Sequence, residues 1–227
     1  MPTFNPTSGL HDTPADPELA QRKALLPHLG LAEDRPVQQL DDLARRLAGA
    51  TSELVGHQEL GTMVNIIKDD QYFVGLYLPT ATTGASHAST PPTTSLRTMP
   101  HSEGWCVHTL QRRSSLPLDN VLDMPRWSGN TAISKLRVKS YLGTPLIHRP
   151  TGISLGTVCA ISTVENTWGR AGVDLIKDFG EQALDLIDII TANHQQQTQP
   201  HLPPIPVPAS SSTPATRTHH TSETNRR

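Results

Sequence analysis

The residues best suited to chemistry in this chain of 227 residues are a cysteine and a histidine two positions apart, Cys106 and His108. A thiol near the start of a helix has its thiolate favoured by the helix dipole, and a nearby imidazolium favours it further. Residues two apart on a helix point to different sides, which disfavours a nucleophile–base pair formed by these two alone. A small buried thiol and a hydrogen-bonding histidine are the simpler interpretation.

A second candidate pair is Asp123 and Arg126. A carboxylate at this spacing can accept hydrogen bonds from backbone N–H groups, and the guanidinium can reach back to it or to a ligand anion. We favour the structural role, in which the pair holds a turn. Trp105 and Tyr141 are aromatic residues that could line a pocket.

Composition excludes several classes of protein. The net charge of −2 argues against a nucleic-acid surface built on bulk charge. The two cysteines imply no disulfide framework and favour a reducing compartment, and the 11 histidines lack the spacing of a zinc site. The chain begins without a secretory signal and holds no apolar run of about 18 residues. We therefore expect a cytoplasmic protein that contacts neither membrane nor nucleic acid.

Hydrophobic periodicity predicts the elements that position these residues. Apolar stripes at steps of three and four predict helices over 40–54 and 176–190. Two pairs of β-branched and aromatic runs predict antiparallel hairpins, because their connections are too short for a helical crossover: 64–67 with 72–78, and 138–147 with 153–162. Between the hairpins, a short helix capped by Ser102 is expected. These elements predict an α/β (α+β) fold, with a meander-like antiparallel sheet and its terminal helices on one face.

The ends of the chain and one internal segment are biased in composition. The apolar fraction is 35%, below the usual ~45–50%, and 20 residues are proline. We expect a flexible arm over 1–37, with one short helix around 17–26, and a disordered tail over 193–227. A folded domain then spans 38–192, interrupted at 79–95 by a disordered insertion or a flap.

Four motifs in register resemble those of the bacterial GAF domain family. They are GWCVHTL at 104–110, LPLDNVLDMPRW at 116–127, YLGTPL at 141–146 and SLGTVCAI at 154–161. The resemblance covers about 38–192. It implies a six-stranded antiparallel sheet with helices on one face and, on the other, a pocket closed by loops and short helices. The insertion at 79–95 departs from the family, which usually has a shorter loop there.

The resemblance also implies a function. Members of the family bind cyclic nucleotides, haem, bilins or small metabolites, or dimerise through their terminal helices and signal to an attached output domain. No output domain is recognised in this chain. We therefore expect a stand-alone sensor and no enzyme: a homodimer that binds a small molecule of unknown identity and relays its state to a separate signalling protein. The expected ligand-binding residues are Trp105, Cys106, His108, Asp123, Arg126 and Tyr141.

Two alternatives stay open. The first is a pure interaction module that dimerises or docks a partner while its pocket stays empty. The second is a thiol redox protein using Cys106, which would have to pair with Cys159 or with an outside thiol. Known bilin and haem sites of the family are not recognisable here. The family's methionine sulfoxide reductases use a group of loop cysteines, which two cysteines do not supply.

Overall fold

The computed structural model describes residues 4–5, 10–11, 13–58, 60–79 and 97–198. The first half contains, in chain order, β1 (Phe4–Asn5), β2 (Leu10–His11), α1 (Leu19–Leu25), a 3-10 turn (Leu26–Leu29), α2 (Gln38–Val55), β3 (Leu60–Ile67), β4 (Asp70–Tyr77) and β5 (Thr98–Pro100). The second half contains α3 (Cys106–Arg112), β6 (Leu116–Leu118), α4 (Pro125–Ser128), α5 (Thr131–Leu136), β7 (Ser140–Ile147), β8 (Ser154–Ser162) and α6 (Gly169–Thr198). Apart from residue 79, the predicted insertion at 79–95 lies outside the described residues.

The main sheet has six antiparallel strands in the order β5-β4-β3-β8-β7-β6. The predicted fold class and its six-stranded antiparallel sheet are confirmed, and both predicted hairpins are present as β3–β4 and β7–β8. The two hairpins join through β3 and β8, so the sheet is not a simple meander. This central pairing places residues from distant parts of the chain side by side.

Helices α2 and α6 pack together on one face of the sheet. The predicted stripe on α2 explains this packing, since Leu40, Leu43 and Leu47 are fully buried in the core beneath. Most of the stripe is therefore used within one copy of the chain, whereas Leu54 at its end is exposed. Helix α6 continues to Thr198, past the expected end of the domain at 192.

The described part of the N-terminal segment differs from the predicted flexible arm. Three leucines in and just after the 3-10 turn are buried in the same core as α2 and α6: Leu26, Leu29 and Leu31. Arg22 of α1 is also fully buried. Average composition does not predict this burial, because a few well-placed leucines can bury apolar surface even in a polar segment.

The opposite face of the sheet carries α3, α4 and α5 over a second, smaller apolar core. The expectation that a helix begins at Ser102 is wrong. Helix α3 begins at Cys106, and its N-cap residue Trp105 makes no capping hydrogen bond through its side chain. In the described part of the chain, no helix is long and apolar enough to cross a membrane.

Candidate functional site

Polar side chains interrupt the apolar face of the sheet that lies under α3. Side chains alternate along a strand, so every second residue of β3, β7 and β8 faces this side. Asn65 of β3 lies directly opposite Thr157 of β8, and Cys159 lies opposite both Met63 and Gly143. Asn65, Thr157 and Cys159 are completely buried.

Cys106, at the start of α3, lies directly above this part of the sheet. Its Sγ atom is 3.6 Å from the Sγ of Cys159, and both thiols are free and buried. The Tyr141 hydroxyl lies 3.7 Å from the Cys106 sulfur and 2.8 Å from the Thr109 hydroxyl, so it can hydrogen-bond to either. The structure therefore brings together two cysteines and a tyrosine that are far apart in sequence.

The position of Tyr141 depends on a glycine two residues further along β7. A Cβ atom on Gly143 would lie 2.1 Å from the Tyr141 hydroxyl oxygen, so only glycine leaves room for the phenol. The Trp105 ring packs against the Tyr141 ring at a centroid distance of 5.6 Å and an interplanar angle of 46°. These two aromatic rings pack on one side of the buried thiols.

The surroundings of the two thiols shift their pKa values in opposite directions. A hydrogen bond from Cys159 lowers the pKa of Cys106 to about 6, and burial opposes this shift. The pKa of Cys159 is raised, because it hydrogen-bonds to Cys106 and is buried. Burial also raises the pKa of Tyr141, and the adjacent sulfurs raise it further. The arrangement favours a thiolate on Cys106 while Cys159 keeps its proton.

Three buried polar atoms of this cluster have no hydrogen-bond partner among the described residues. They are Asn65 Oδ1, Trp105 Nε1 and Thr157 Oγ1. The Asn65 amide is held in place by donating to Gln71 Oε1 at 2.9 Å. Gln71 in turn donates to the carbonyl oxygens of Pro100 and Glu103. Buried polar atoms are nearly always satisfied, so three unsatisfied atoms in one cluster indicate a place for a further polar group.

Four of the six predicted ligand-binding residues share this buried core: Trp105, Cys106, His108 and Tyr141. The His108 ring contacts the Trp127 ring edge-on, at a centroid distance of 4.8 Å. Three surface clefts of about 240, 290 and 900 Å³ lie among the described residues, and none of these three is lined by any of the six.

Asp123 and Arg126 do not join this cluster, and both are exposed. The Arg126 guanidinium lies over the Trp127 ring, 4.2 Å from its centroid, rather than on the Asp123 carboxylate. The turn is instead held by Asn120, whose Oδ1 accepts a hydrogen bond from the Leu122 N–H at 2.9 Å. The Arg126 guanidinium therefore does not make the contact with Asp123 that the expected turn role includes.

Sequence reasoning missed several polar residues of the site. Asn65 was open to detection, since it stands between Val64 and Ile66 in a strand whose eight residues are all buried. The predicted hairpin leaves Gln71 in the connection between its strands, whereas the structure places it on β4, fully buried. Thr157 carries no sequence signal, because threonine is common in strands.

Asn130 fixes the loop that leads into α3, and it too was missed. Its Oδ1 accepts hydrogen bonds from the N–H groups of Gly104, at 2.9 Å, and Ala132, at 3.0 Å. Its Nδ2 donates to the Gly104 carbonyl at 2.7 Å. One side chain thus caps α5 and holds the backbone two residues before Cys106.

Comparisons with known proteins agree with the motifs. The family model described as GAF domain matches residues 39–184. A search of the curated proteins gave no match. Among solved structures, the chain is similar to the GAF domain of an Acinetobacter phosphoenolpyruvate-protein phosphotransferase, with 14% identity over 81% of this chain and 98% of that one and a TM-score of 0.47.

Two further solved structures are similar at comparable levels. One is residues 122 to 287 of a methyl-accepting chemotaxis protein, with 18% identity over 78% of this chain and 99% of that one and a TM-score of 0.47. The other is the free methionine-R-sulfoxide reductase of Neisseria meningitidis, with 15% identity over 83% of this chain and 98% of that one and a TM-score of 0.45.

The family match extends over more than half of the chain and includes every strand of the six-stranded sheet. The fold is one that sensor and signalling proteins use. This chain belongs to the GAF domain family.

Proposed function

We propose that this GAF domain is a sensor that binds a small polar molecule at the buried cluster and relays its state to a separate signalling protein. The observation that supports the proposal is the set of buried polar atoms without a partner among the described residues, on Asn65, Trp105 and Thr157, in the same buried cluster as Cys106. Signalling rather than catalysis is the proposed role. We place it in the cytoplasm, where thiols stay reduced.

The chemistry of the cluster restricts the ligand. Trp105 Nε1 can only donate a hydrogen bond, Asn65 Oδ1 can only accept one, and the Thr157 hydroxyl can do both. These three residues supply no cationic group, and the Cys106 thiolate disfavours an anion. The ligand is therefore a small uncharged molecule that both donates and accepts hydrogen bonds. Since the cluster is closed by packing, binding displaces α3 or the loop before it, and this movement is the signal.

Native mass spectrometry of the full chain, purified from its own host, tests the proposal. We expect a non-covalently bound small molecule that is retained in the wild type and lost in Thr157→Val. The matched control is Thr51→Val, since Thr51 is equally buried but hydrogen-bonds within α2. The isolated molecule should then raise the melting temperature of the wild type by mass action and leave Thr157→Val unchanged. A wild type that carries no such molecule, or one that both variants keep, contradicts the proposal.

Homodimerisation without a ligand is the second candidate function. It is favoured by two large apolar side chains left on the outer helices, Leu54 at 40% exposure and Ile189 at 55%. Light scattering after gel filtration gives the mass in solution. A dimer that becomes a monomer in Ile189→Glu supports an interaction through α6, whereas a wild-type monomer at micromolar concentration rules this candidate out.

A further inference from the structure

We propose that Cys106 and Cys159 form a reversible intramolecular disulfide when the protein meets a hydroperoxide. This modification does not depend on the proposed ligand. It is carried by the juxtaposition of two free thiols from α3 and β8, which lie 53 positions apart in the chain.

The distance between the sulfurs is short enough for the bond to form without refolding. They are 3.6 Å apart, whereas a disulfide requires about 2.05 Å, so a closing movement of about 1.5 Å is needed. Cys159 is fixed in the middle of β8, between β3 and β7. Cys106 is the first residue of the short helix α3, and this helix can make the movement.

Burial decides which sulfur reacts first. Cys106 keeps 5% of its surface exposed, whereas Cys159 keeps none. We therefore place the first attack of a small hydroperoxide on Cys106, the less buried of the two. The hydrogen bonds that lower the pKa of Cys106 act in the same direction, because the thiolate is the nucleophile.

The reaction has two balanced steps. The Cys106 thiolate attacks the terminal oxygen of the hydroperoxide, the O–O bond breaks, and the alkoxide leaves with a proton as an alcohol. The product is a sulfenic acid on Cys106. The Cys159 sulfur then attacks the Cys106 sulfur, the S–O bond breaks, and hydroxide leaves with the Cys159 proton as water. Two thiols have lost two electrons in total, and the hydroperoxide has been reduced to alcohol and water.

The disulfide would change the surroundings of the polar cluster. It removes the charge on Cys106, next to which the Tyr141 hydroxyl lies, and it ties α3 to the central strand. Oxidation would thus lock the helix whose displacement we assign to signalling. The redox state of the two cysteines and the binding of a ligand would then both control the position of α3.

Thiol mapping on the full chain tests the proposal. The reduced protein is treated with a tenfold excess of hydrogen peroxide, quenched, alkylated with iodoacetamide in denaturant and digested with trypsin without reductant. We expect the tryptic peptide 98–112 joined to the peptide 140–170, which Pro150 protects from cleavage after Arg149. Dithiothreitol should release both peptides. In Cys159→Ala, dimedone should instead trap a sulfenic acid on Cys106.

The opposite results are equally distinct. The proposal is overturned if both cysteines of the wild type remain fully alkylated, if the linked peptides come only from chains of doubled mass, or if Cys106 goes on to sulfinic acid while Cys159 stays alkylated. The melting temperatures of Cys106→Ala and Cys159→Ala establish that both variants are folded. The native mass spectrum of reduced protein reports on the ligand separately, so each proposal can fail without the other.

Discussion

At the scale of single residues, the acidity of Cys106 depends on what lies next to it in space. Its nearest partner is the thiol of Cys159, and that hydrogen bond is the largest cause lowering its pKa. The sequence neighbour His108 instead packs against Trp127. Cys106 therefore contacts a second cysteine and not His108, in agreement with the spacing that disfavours a cysteine–histidine pair.

This arrangement predicts a thiolate titration that depends on Cys159. In the wild type, the thiolate absorbance near 240 nm should rise with a midpoint of about 6. In Cys159→Ala the main hydrogen bond is lost while burial remains, so the midpoint should move towards or above the ordinary thiol pKa of about 8.5. Cys106→Ala provides the baseline. An unchanged midpoint in Cys159→Ala would contradict the assigned cause.

The same pKa shift predicts a dependence of stability on pH. The pKa of Cys106 is lower in the folded chain, so between about pH 6 and the ordinary thiol pKa the unfolded chain binds more protons. The free energy of unfolding that this thiolate contributes is therefore present above that ordinary pKa and is lost as the pH falls towards 6. Urea unfolding should show the advantage of the wild type over Cys106→Ala shrinking from pH 8.5 to pH 6. A constant difference would count against a folded-state thiolate.

Arg22 provides a residue-scale test of the N-terminal segment. It is fully buried, donates to the carbonyl oxygens of Ile67 at 2.5 Å and Ser154 at 3.0 Å, and pairs with the buried Asp16. Arg22→Met leaves these carbonyl oxygens and the Asp16 carboxylate without their partner. It should lower the free energy of unfolding, measured in urea, by about 3–5 kcal/mol. The neighbouring Lys23→Met breaks only an exposed ion pair, so it should cost about 1 kcal/mol or less. Equal losses in the two variants would show that the burial of Arg22 is unimportant.

At the scale of elements, α2 and β4 approach so closely that one glycine decides their packing. A Cβ on Gly75 would lie 2.4 Å from the Leu40 carbonyl oxygen, which belongs to the backbone and cannot rotate away. Gly49, on the exposed side of α2, has nothing within 4 Å of the same position. The same substitution should therefore have opposite effects at these two sites.

We predict that Gly75→Ala lowers the free energy of unfolding by about 1–3 kcal/mol, because the helix must shift on the strand. Gly49→Ala should raise it by up to about 1 kcal/mol, since alanine favours the helix. Thermal and urea unfolding of both variants measure the difference. A neutral Gly75→Ala would mean that α2 does not rest directly on β4.

At the scale of the whole molecule, the domain is larger than its family motif. The family match covers residues 39–184, yet the main core also includes Leu26, Leu29 and Leu31 from the N-terminal segment. The Thr191 hydroxyl of α6 donates to the Leu29 carbonyl at 3.3 Å, which links the two ends of the domain. Residues 26–31 thus pack in the same core, and we predict that they unfold together with it.

Leu26→Ala tests this extension. Because Leu26 is buried in the main core, its truncation should lower the free energy of unfolding by about 2–5 kcal/mol. Leu25→Ala is the matched control, since this neighbouring leucine is only half-buried and should lose less. Urea unfolding followed by circular dichroism measures both variants. If Leu26→Ala costs less than about 0.5 kcal/mol, the segment is the loose arm that its composition suggests.

Local patterns determined much of the fold. The stripes of α2 and α6 and the β-branched runs of β3, β4, β7 and β8 are periodic signals that follow from backbone geometry, and they place these elements correctly. The four motifs indicated the family, and with it a six-stranded antiparallel sheet, but not the order of its strands. Cys106, Trp105 and Tyr141 were predicted site residues, and the structure brings them together.

Only the tertiary structure decided what these residues touch. The pairing of β3 with β8 puts Asn65 opposite Thr157, and the packing of α3 puts Cys106 on Cys159. Neither contact follows from spacing along the chain, because register and helix docking depend on the whole core. The same packing leaves Asp123 in solvent. Periodicity fixes which face of an element is buried, whereas contacts between distant elements fix the chemistry.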